Sequence, residues 1–241
     1  QQIDPQSTGT GVIDSFVRLK DNAGNIEEGY NTDGRPVPLD ENPSVQFTRS
    51  LTLGEVPLVG LDTNGDGTLD TLYREFLLDI NQTAEDSLIS LDAVRLYAGA
   101  IAGDLTTTDL NDPDLGDLIY DLDSVEDTWI LLDYNLGSGS GSGDMFMYIP
   151  ESLFASYADG DFITLYSKFG QLEGNNDGFE EWAVRKGVPP PPCELTGECP
   201  PPPCEETGTC PPPQIPEPTS LYLMGTGLLG ALGAGRWRKR V

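Results

Sequence analysis

Residues 88–97 of the chain read LISLDAVRLY, and this stretch shows the pattern that decides the fold class. Ile89 and Leu91 are two residues apart, and Val45 and Phe47 repeat the same spacing. Because successive side chains of a strand point to opposite faces of a sheet, this alternation predicts strands with one buried face. Similar runs, rich in β-branched and aromatic residues, predict strands at 15–20, 44–53, 72–80, 88–97, 128–134, 145–149, 162–166 and 181–185.

Strong turn formers separate these runs, including Asn31-Thr32-Asp33-Gly34, Asp112-Pro113 and the glycine-serine segment 137–143. A helix is predicted only at 150–157, where Pro150 opens the stretch and Glu151 follows in the first turn. About eight short strands with little helix predict an all-β fold, an antiparallel β-sandwich that is jelly-roll-like.

The composition excludes several classes of function. The 241 residues hold 40 acidic and 13 basic side chains and no histidine, for a net charge of −27. A surface this acidic repels nucleic acid. The lack of histidine excludes a Ser–His–Asp triad and a histidine-bound catalytic zinc. Hydrophobic residues make up 37% of the chain, which is enough to expect a folded core rather than disorder.

The most specific local motif is DTNGDGTLD at 62–70. Asp62, Asn64, Asp66 and Asp70 place oxygen-bearing side chains at positions 1, 3, 5 and 9, and Thr68 offers its backbone carbonyl at position 7. Hard oxygen ligands at alternate positions, with a glycine at position 6 for the sharp turn, are typical of a calcium loop. The sequence therefore predicts bound calcium as the cofactor.

This loop resembles the DxNxDGxxD calcium loops of dockerins, thrombospondin repeats and integrin-type strand connections. It departs from the helix-loop-helix calcium motif, since Tyr73 stands at position 12 where a bidentate glutamate is needed. The flanks 56–61 and 72–80 also read as strands. The alternative is an ordinary hairpin turn, because Asn-Gly and Asp-Gly are favoured hairpin residues.

Other clusters are less specific. Asp121, Asp123, Glu126 and Asp127 could form a second cation site or a solvated loop. Residues 175–178, NNDG, are read as a turn with cation binding as the alternative. The aromatic side chains of Trp129, Tyr134, Tyr148 and Trp182 could stack on a sugar or fill the core. No pair of carboxylates stands out as catalytic, so the protein is expected not to be an enzyme.

A proline-rich tract at 189–213 contains all four cysteines in an eleven-residue repeat, PPPPCELTGEC then PPPPCEETGTC. Polyproline segments form extended, semi-rigid spacers, which indicates a stalk. Each repeat carries Thr-Gly between its cysteines, which favours two local disulfide loops, Cys193–Cys199 and Cys204–Cys210. A four-cysteine zinc site is the alternative, although the ligand spacing is long for it. Disulfides predict an oxidising, exported location.

The last segment, 214–241, has three elements in order: Pro216-Glu217-Pro218, an apolar run at 221–235, and a basic end made of Arg236, Arg238, Lys239 and Arg240. As a helix the apolar run rises only about 22 Å, so it predicts a marginal transmembrane helix whose basic end stays cytoplasmic. A buried C-terminal core helix is the alternative, which the glycines and adjacent bases disfavour.

These three elements resemble the PEP-CTERM sorting signal of Gram-negative bacteria. The resemblance implies recognition by an exosortase, a membrane cysteine protease or transpeptidase, with processing near Pro216–Pro218. It also implies export by organisms that make extracellular polysaccharide, and hence a signal peptide removed from the mature chain. Residues 8–19, 28–34, 75–81 and 139–150 resemble a domain of uncharacterised exported PEP-CTERM proteins, for which no activity is implied.

The sequence thus predicts an ectodomain at 1–188, a stalk at 189–213 and a sorting segment at 214–241. The expected function is a structural or adhesive component of the cell surface or of the exopolysaccharide matrix. The first alternative is a calcium-dependent carbohydrate-binding module, which predicts a row of exposed Trp or Tyr on one sheet face. A glycan-active enzyme is the third candidate.

Overall fold

The computed structural model describes residues 13–20, 26–136, 143–176 and 178–187. Within these ranges the chain forms eleven strands: β1 (Ile13–Leu19), β2 (Glu27–Tyr30), β3 (Leu51–Thr52), β4 (Leu58–Leu61), β5 (Thr71–Asp79), β6 (Leu88–Ala100), β7 (Asp117–Asp121), β8 (Ile130–Asp133), β9 (Met145–Pro150), β10 (Phe162–Phe169) and β11 (Glu180–Arg185). Four short 3₁₀ helices lie at Leu53–Glu55, Pro113–Leu115, Tyr134–Leu136 and Glu151–Phe154.

The strands form two sheets, and every pairing within them is antiparallel. In the first sheet β1 pairs with β11, and β11 pairs with β5. Strand β4 pairs with the same edge of β5 as β11 does, and β9 pairs with the opposite edge of β5. In the second sheet β10 and β6 are the central pair. Strands β2 and β3 pair with the free edge of β10, and β7 and β8 with the free edge of β6.

The two sheets pack face to face around one apolar core. The first sheet contributes Phe16, Phe76 and Trp182, and the second contributes Ile89 and Leu165, all fully buried. Alternate residues on each strand supply these side chains, as the period-two pattern of the sequence predicts. The predicted antiparallel β-sandwich is therefore confirmed.

A second apolar cluster covers the outer face of the second sheet. Tyr30, Tyr97 and Tyr166 lie there with Leu105 and Leu115 from the segment after β6. The Tyr30 hydroxyl donates to the carbonyl of Thr107 at 2.7 Å, and the Tyr97 hydroxyl donates to that of Leu110 at 2.8 Å. A buried tyrosine hydroxyl needs a polar partner, and here the segment between β6 and β7 supplies it. The two bonds therefore hold this segment against the sheet.

Two predicted elements are wrong in part. The predicted strand 44–53 is a strand only at Leu51–Thr52, because Ser44 begins a turn: its carbonyl accepts the amides of Phe47 and Thr48. The predicted helix 150–157 is a 3₁₀ helix at Glu151–Phe154. Two strands, β2 and β7, were not predicted from the sequence. Strand β2 has the sequence EEGY, with one aromatic residue, and β7 has the sequence DLIYD, whose apolar residues Leu118, Ile119 and Tyr120 are consecutive rather than alternating.

The predicted stalk with Cys193, Cys199, Cys204 and Cys210, and the predicted transmembrane helix with its basic end, lie outside the described residues. Over the ranges that the structure does describe, helices are too short and too polar to cross a membrane.

Candidate functional sites

The predicted calcium loop, residues 62–70, joins β4 to β5 as a hairpin connection. Leu61 pairs with Thr71 across the hairpin, and the Asp70 amide donates to the Leu61 carbonyl at 2.9 Å. The loop therefore leaves and re-enters the sheet at one point, and eight of its nine residues, 63–70, are exposed to solvent. The strands that the sequence predicts on either side of the loop are confirmed.

Asp62 organises the first half of the loop. Its Oδ1 accepts the amide of Gly65 at 2.6 Å and its Oδ2 accepts that of Gly67 at 2.7 Å. Both glycines have positive φ, 79° and 87°, a region that other residues rarely adopt. The glycines thus let the backbone curl around the Asp62 carboxylate.

Asn64, Asp66 and Asp70 also bind the loop's own polar groups. Asn64 Oδ1 accepts the amide of Asp66 at 2.9 Å, and Asp66 Oδ1 accepts that of Thr68 at 2.8 Å. Asp70 Oδ1 accepts the hydroxyl of Thr63 at 2.8 Å and that of Thr71 at 2.9 Å. These hydroxyls, Thr63 first, lower the pKa of Asp70 and keep it ionised.

The donor chemistry of this loop suits calcium, since carboxylate, amide and carbonyl oxygens are the ligands this ion takes. Nowhere in the described ranges, this loop included, do three acidic or cysteine side chains form a group arranged to hold a metal ion. The structure instead uses Asp62, Asp66 and Asp70 to accept hydrogen bonds from the loop. Calcium binding at Asp62, Asn64, Asp66, Thr68 and Asp70 stays a prediction.

Of the second acidic cluster, Asp121 ends β7, and Asp123, Glu126 and Asp127 follow in the loop between β7 and β8. Asp121 forms an ion pair with Arg95 at 3.2 Å, and Asp123 accepts the amide of Thr128 at 2.9 Å. Two of the four predicted side chains are thus engaged in shaping this loop. In the other weak candidate, Asn176 Oδ1 accepts the amide of Thr83 at 2.8 Å, and Asp177 lies outside the described residues.

The four aromatic side chains considered as a platform lie in different places. Trp182 is fully buried in the core, and Tyr134 is partly buried against the same core. Tyr148 lies on β9 of the first sheet, where it stacks on Phe146 with ring centroids 5.9 Å apart. Trp129, which precedes β8 of the second sheet, is 49% exposed. The four side chains therefore do not form one platform.

Trp129 instead lines a groove of about 300 Å³ on the second sheet, which we call the Trp129 groove. Its polar lining comes from Asp92, Asp123, Asp127, Lys168 and Gln171. The sequence singled out Trp129 and the acidic run separately. Their meeting with Asp92 and Lys168 depends on how β6 pairs with β10, which no local pattern shows.

A buried carboxyl pair at the end of the sandwich was also missed. Glu27 on β2 of the second sheet and Glu180 on β11 of the first are both 0% exposed. Asn175 Nδ2 donates to Glu27 at 2.9 Å, and Gln82 Nε2 donates to Glu180 at 2.9 Å and to Asn175 Oδ1 at 3.2 Å. These four side chains link the two sheets through hydrogen bonds.

The pair needs a positive partner or a proton, because two buried carboxylates in contact repel each other. Burial, and then the adjacent Glu27 carboxyl group, raise the pKa of Glu180 well above its usual range. The raised pKa favours the protonated form of Glu180, which lessens the repulsion between the two buried groups. Both groups are closed off from solvent, so a substrate cannot reach them.

Comparison with known proteins concerns the C-terminal segment. Residues 214–239 match the family model described as the PEP-CTERM protein-sorting motif. The match includes Pro216, Glu217 and Pro218 and three of the four bases of the tail, Arg236, Arg238 and Lys239. No curated protein and no solved structure gives a significant match to this chain. The predicted sorting motif is confirmed.

Proposed function

Because the chain is a PEP-CTERM protein, exported and sorted by an exosortase to the cell envelope, we propose that it is a structural or adhesive component of the cell surface or of the exopolysaccharide matrix. The single observation that carries this proposal is the sorting motif at 214–239. The proposed host is Gram-negative, and the proposed partners are the exosortase and a matrix polysaccharide. The role requires no catalytic activity.

The sandwich suits a role outside the cell. Its sheets are joined by the buried Glu27–Glu180 pair, and Arg74 is locked by a bidentate ion pair with Glu151 at 2.6 and 3.0 Å. The same guanidinium donates to the carbonyls of Leu53 and Val56. Bidentate, partly buried arginine pairs rigidify a structure more than exposed pairs do. A rigid, strongly acidic domain is suited to stay soluble and to bind cations.

We propose that residues 189–213 form a stalk closed by disulfides Cys193–Cys199 and Cys204–Cys210. The run at 221–235 would then hold the chain in the membrane before processing, with Arg236, Arg238, Lys239 and Arg240 on the cytoplasmic side. The support for this part is the order of these segments in the sequence.

The sorting proposal is tested by replacing Pro216, Glu217 and Pro218 together with alanine in the source organism. We expect the mature, processed form to disappear and the precursor to accumulate, because the exosortase no longer recognises its substrate. Immunoblots of membrane, surface and medium fractions measure this. The control replaces Pro211, Pro212 and Pro213 with alanine, which changes as many residues just upstream. Normal processing of the first variant would contradict the proposal.

The structural or adhesive role is tested in the same organism by deleting the gene segment for residues 13–187 and leaving the stalk and tail in place. Loss of cell-to-cell aggregation or of matrix cohesion is the expected result. Unchanged aggregation and unchanged matrix with correct sorting would show that the ectodomain has another task.

We further propose that calcium stabilises the ectodomain at the 62–70 loop. Four side chains there, three of them exposed, offer carboxylate or amide oxygens, and a cation would relieve the repulsion among the carboxylates and part of the net charge of −27. Extracellular calcium sites commonly have a Kd of about 10⁻⁴–10⁻³ M. A site of this strength is filled outside the cell.

With 10 mM calcium we expect the Tm to rise by about 3–5 °C over the value in EDTA, as a millimolar site predicts. Differential scanning calorimetry at constant ionic strength measures the shift. Asp66→Ala should abolish it, since this change removes a ligand and leaves the Asp62 hydrogen bonds in place. Glu85→Ala, at an exposed acid outside the loop, should keep it. A calcium shift that survives Asp66→Ala would refute this site.

A carbohydrate-binding role is the second candidate function, and the Trp129 groove is the observation that favours it. Calcium at the 62–70 loop would then support the fold rather than the ligand, because the groove is built from the other sheet.

A further inference from the structure

The Trp129 groove has a floor made by an irregularity in the sheet. Lys168 of β10 pairs with Ala93 of β6, whereas the next residue, Phe169, pairs with Leu91. Asp92 is therefore the extra residue of a β-bulge. Bulges re-aim side chains and are frequent beside binding sites. Here Asp92 and Ala93 both line the groove, while Leu91 before them and Val94 after them lie in the core.

Asp92 is held in place but incompletely satisfied. Its Oδ2 accepts the amide of Gln171 at 2.6 Å. Its Oδ1 is buried and accepts no hydrogen bond from any residue that the structure describes. The side chain is 8% exposed. A buried acceptor without a donor is destabilising, so a hydroxyl or water entering the groove would relieve it.

We propose that the Trp129 groove binds a sugar ring of a neutral glycan. The half-exposed indole of Trp129 packs against the apolar C–H face of the ring, and the carboxylates of Asp127 and Asp92 accept its hydroxyls. Lys168 donates to ring and hydroxyl oxygens. The groove's volume of about 300 Å³ suits one ring.

The charges of the groove disfavour an anionic ligand. Asp92, Asp123 and Asp127 repel an anion, so a uronic acid or a phosphate is disfavoured. Lys168 also lines the groove and offsets one of these three negative charges. A ligand that both donates and accepts hydrogen bonds, and also presents an apolar face, satisfies all of the lining groups. Sugars have these properties.

A second groove, of about 410 Å³, lies on the same face of the second sheet. Arg95, Tyr97 and Asp121 line it. Ala93 lines the Trp129 groove, and Arg95 is two residues further along β6, so both project from one side of the strand. A glycan of more than one ring would continue in this direction. This inference rests on the surface role proposed above and adds a ligand class to it.

The test uses the whole chain on an array of immobilised neutral oligosaccharides of glucose, galactose, mannose and N-acetylglucosamine, with an oligouronate and an oligoarginine peptide beside them. We expect binding to at least one neutral glycan, weakened at least about tenfold by Trp129→Ala. Asp92→Asn should weaken it to a similar extent, because the amide nitrogen replaces an acceptor by a donor. Circular dichroism confirms that each variant is folded.

Tyr148→Ala is the matched control, since it removes an aromatic ring from the outer face of the other sheet. It should leave binding unchanged. Loss of binding in Tyr148→Ala and not in Trp129→Ala would overturn the proposal, as would binding to no neutral glycan. Stronger binding to oligoarginine than to any sugar would also overturn it and identify a cationic peptide as the ligand. A chain that is sorted normally but binds no sugar would leave the sorting proposal intact.

Discussion

Replacing Trp182 with alanine is expected to lower the free energy of unfolding by about 3–5 kcal/mol. The side chain is 0% exposed and belongs to the main core. Its indole N–H donates to the hydroxyl of Ser167 at 3.0 Å. Trp182 is on β11 of the first sheet and Ser167 on β10 of the second, so one side chain fills the core and joins both sheets. Alanine would leave a large cavity and an unpaired buried hydroxyl.

Urea unfolding monitored by far-ultraviolet circular dichroism measures this change, because the signal does not depend on the tryptophan removed. Trp182→Phe should cost less, about 1–2 kcal/mol, since it keeps most of the ring and loses the hydrogen bond. Trp129→Ala, at the exposed tryptophan, should change stability by less than about 0.5 kcal/mol. If Trp182→Ala were as mild as Trp129→Ala, the assigned core would be wrong.

Replacing Asp144 with asparagine is expected to stabilise the protein at pH 8 by about 2–3 kcal/mol and to have little effect near pH 4. Asp144 precedes β9, is 1% exposed and accepts the amide of Ile80 at 2.8 Å. Burial, and then the charge of nearby Asp79, raise the pKa of Asp144 to about 7. Asparagine keeps the acceptor and is neutral at every pH.

The sign of this pH dependence follows from the number of protons that the folded and unfolded chains bind. In the unfolded chain an aspartate has a pKa of about 3.9, so between about pH 4 and 7 the folded protein binds the extra proton. The Asp144 contribution to the free energy of unfolding is therefore fully present below pH 4 and is lost as pH rises through 7. Urea unfolding of wild type and variant from pH 4 to 8 measures it. Asp104→Asn, which makes the same change at an exposed site, is the matched control, and a difference for Asp144→Asn that did not vary with pH would contradict the assignment.

Much of the fold could be predicted from the sequence because burial on one face leaves a period-two signal. β5, β6, β10 and β11 carry that signal, and the structure places each within a few residues of its predicted bounds. The strands that were missed or shortened lie where this signal fails. In β2 a buried position is occupied by a glutamate, Glu27, so the sequence EEGY shows no apolar alternation. At 44–50 Val45 and Phe47 are two residues apart, but they lie in a turn that begins at Ser44 rather than in a strand.

The candidate sites also differ in whether the sequence could predict them. The 62–70 loop and the sorting motif are contiguous, so their residue types and spacing suffice to predict the one and to identify the other. The Trp129 groove and the Glu27–Glu180 pair are assembled from distant segments. The groove needs the bulge at Asp92, and the acid pair needs β2 and β11 to meet across two sheets.

The sequence by itself determined the class of fold, the export and sorting of the chain, and the oxygen-rich hairpin loop. Each of these depends on the types of neighbouring residues or on their periodicity. Only the tertiary structure decided which tryptophan lies in the core and which at the surface, and which carboxyl groups have a raised pKa. Those properties depend on burial and on long-range pairing. Burial sets whether an indole is available to a ligand, and it sets the cost of keeping a carboxylate ionised.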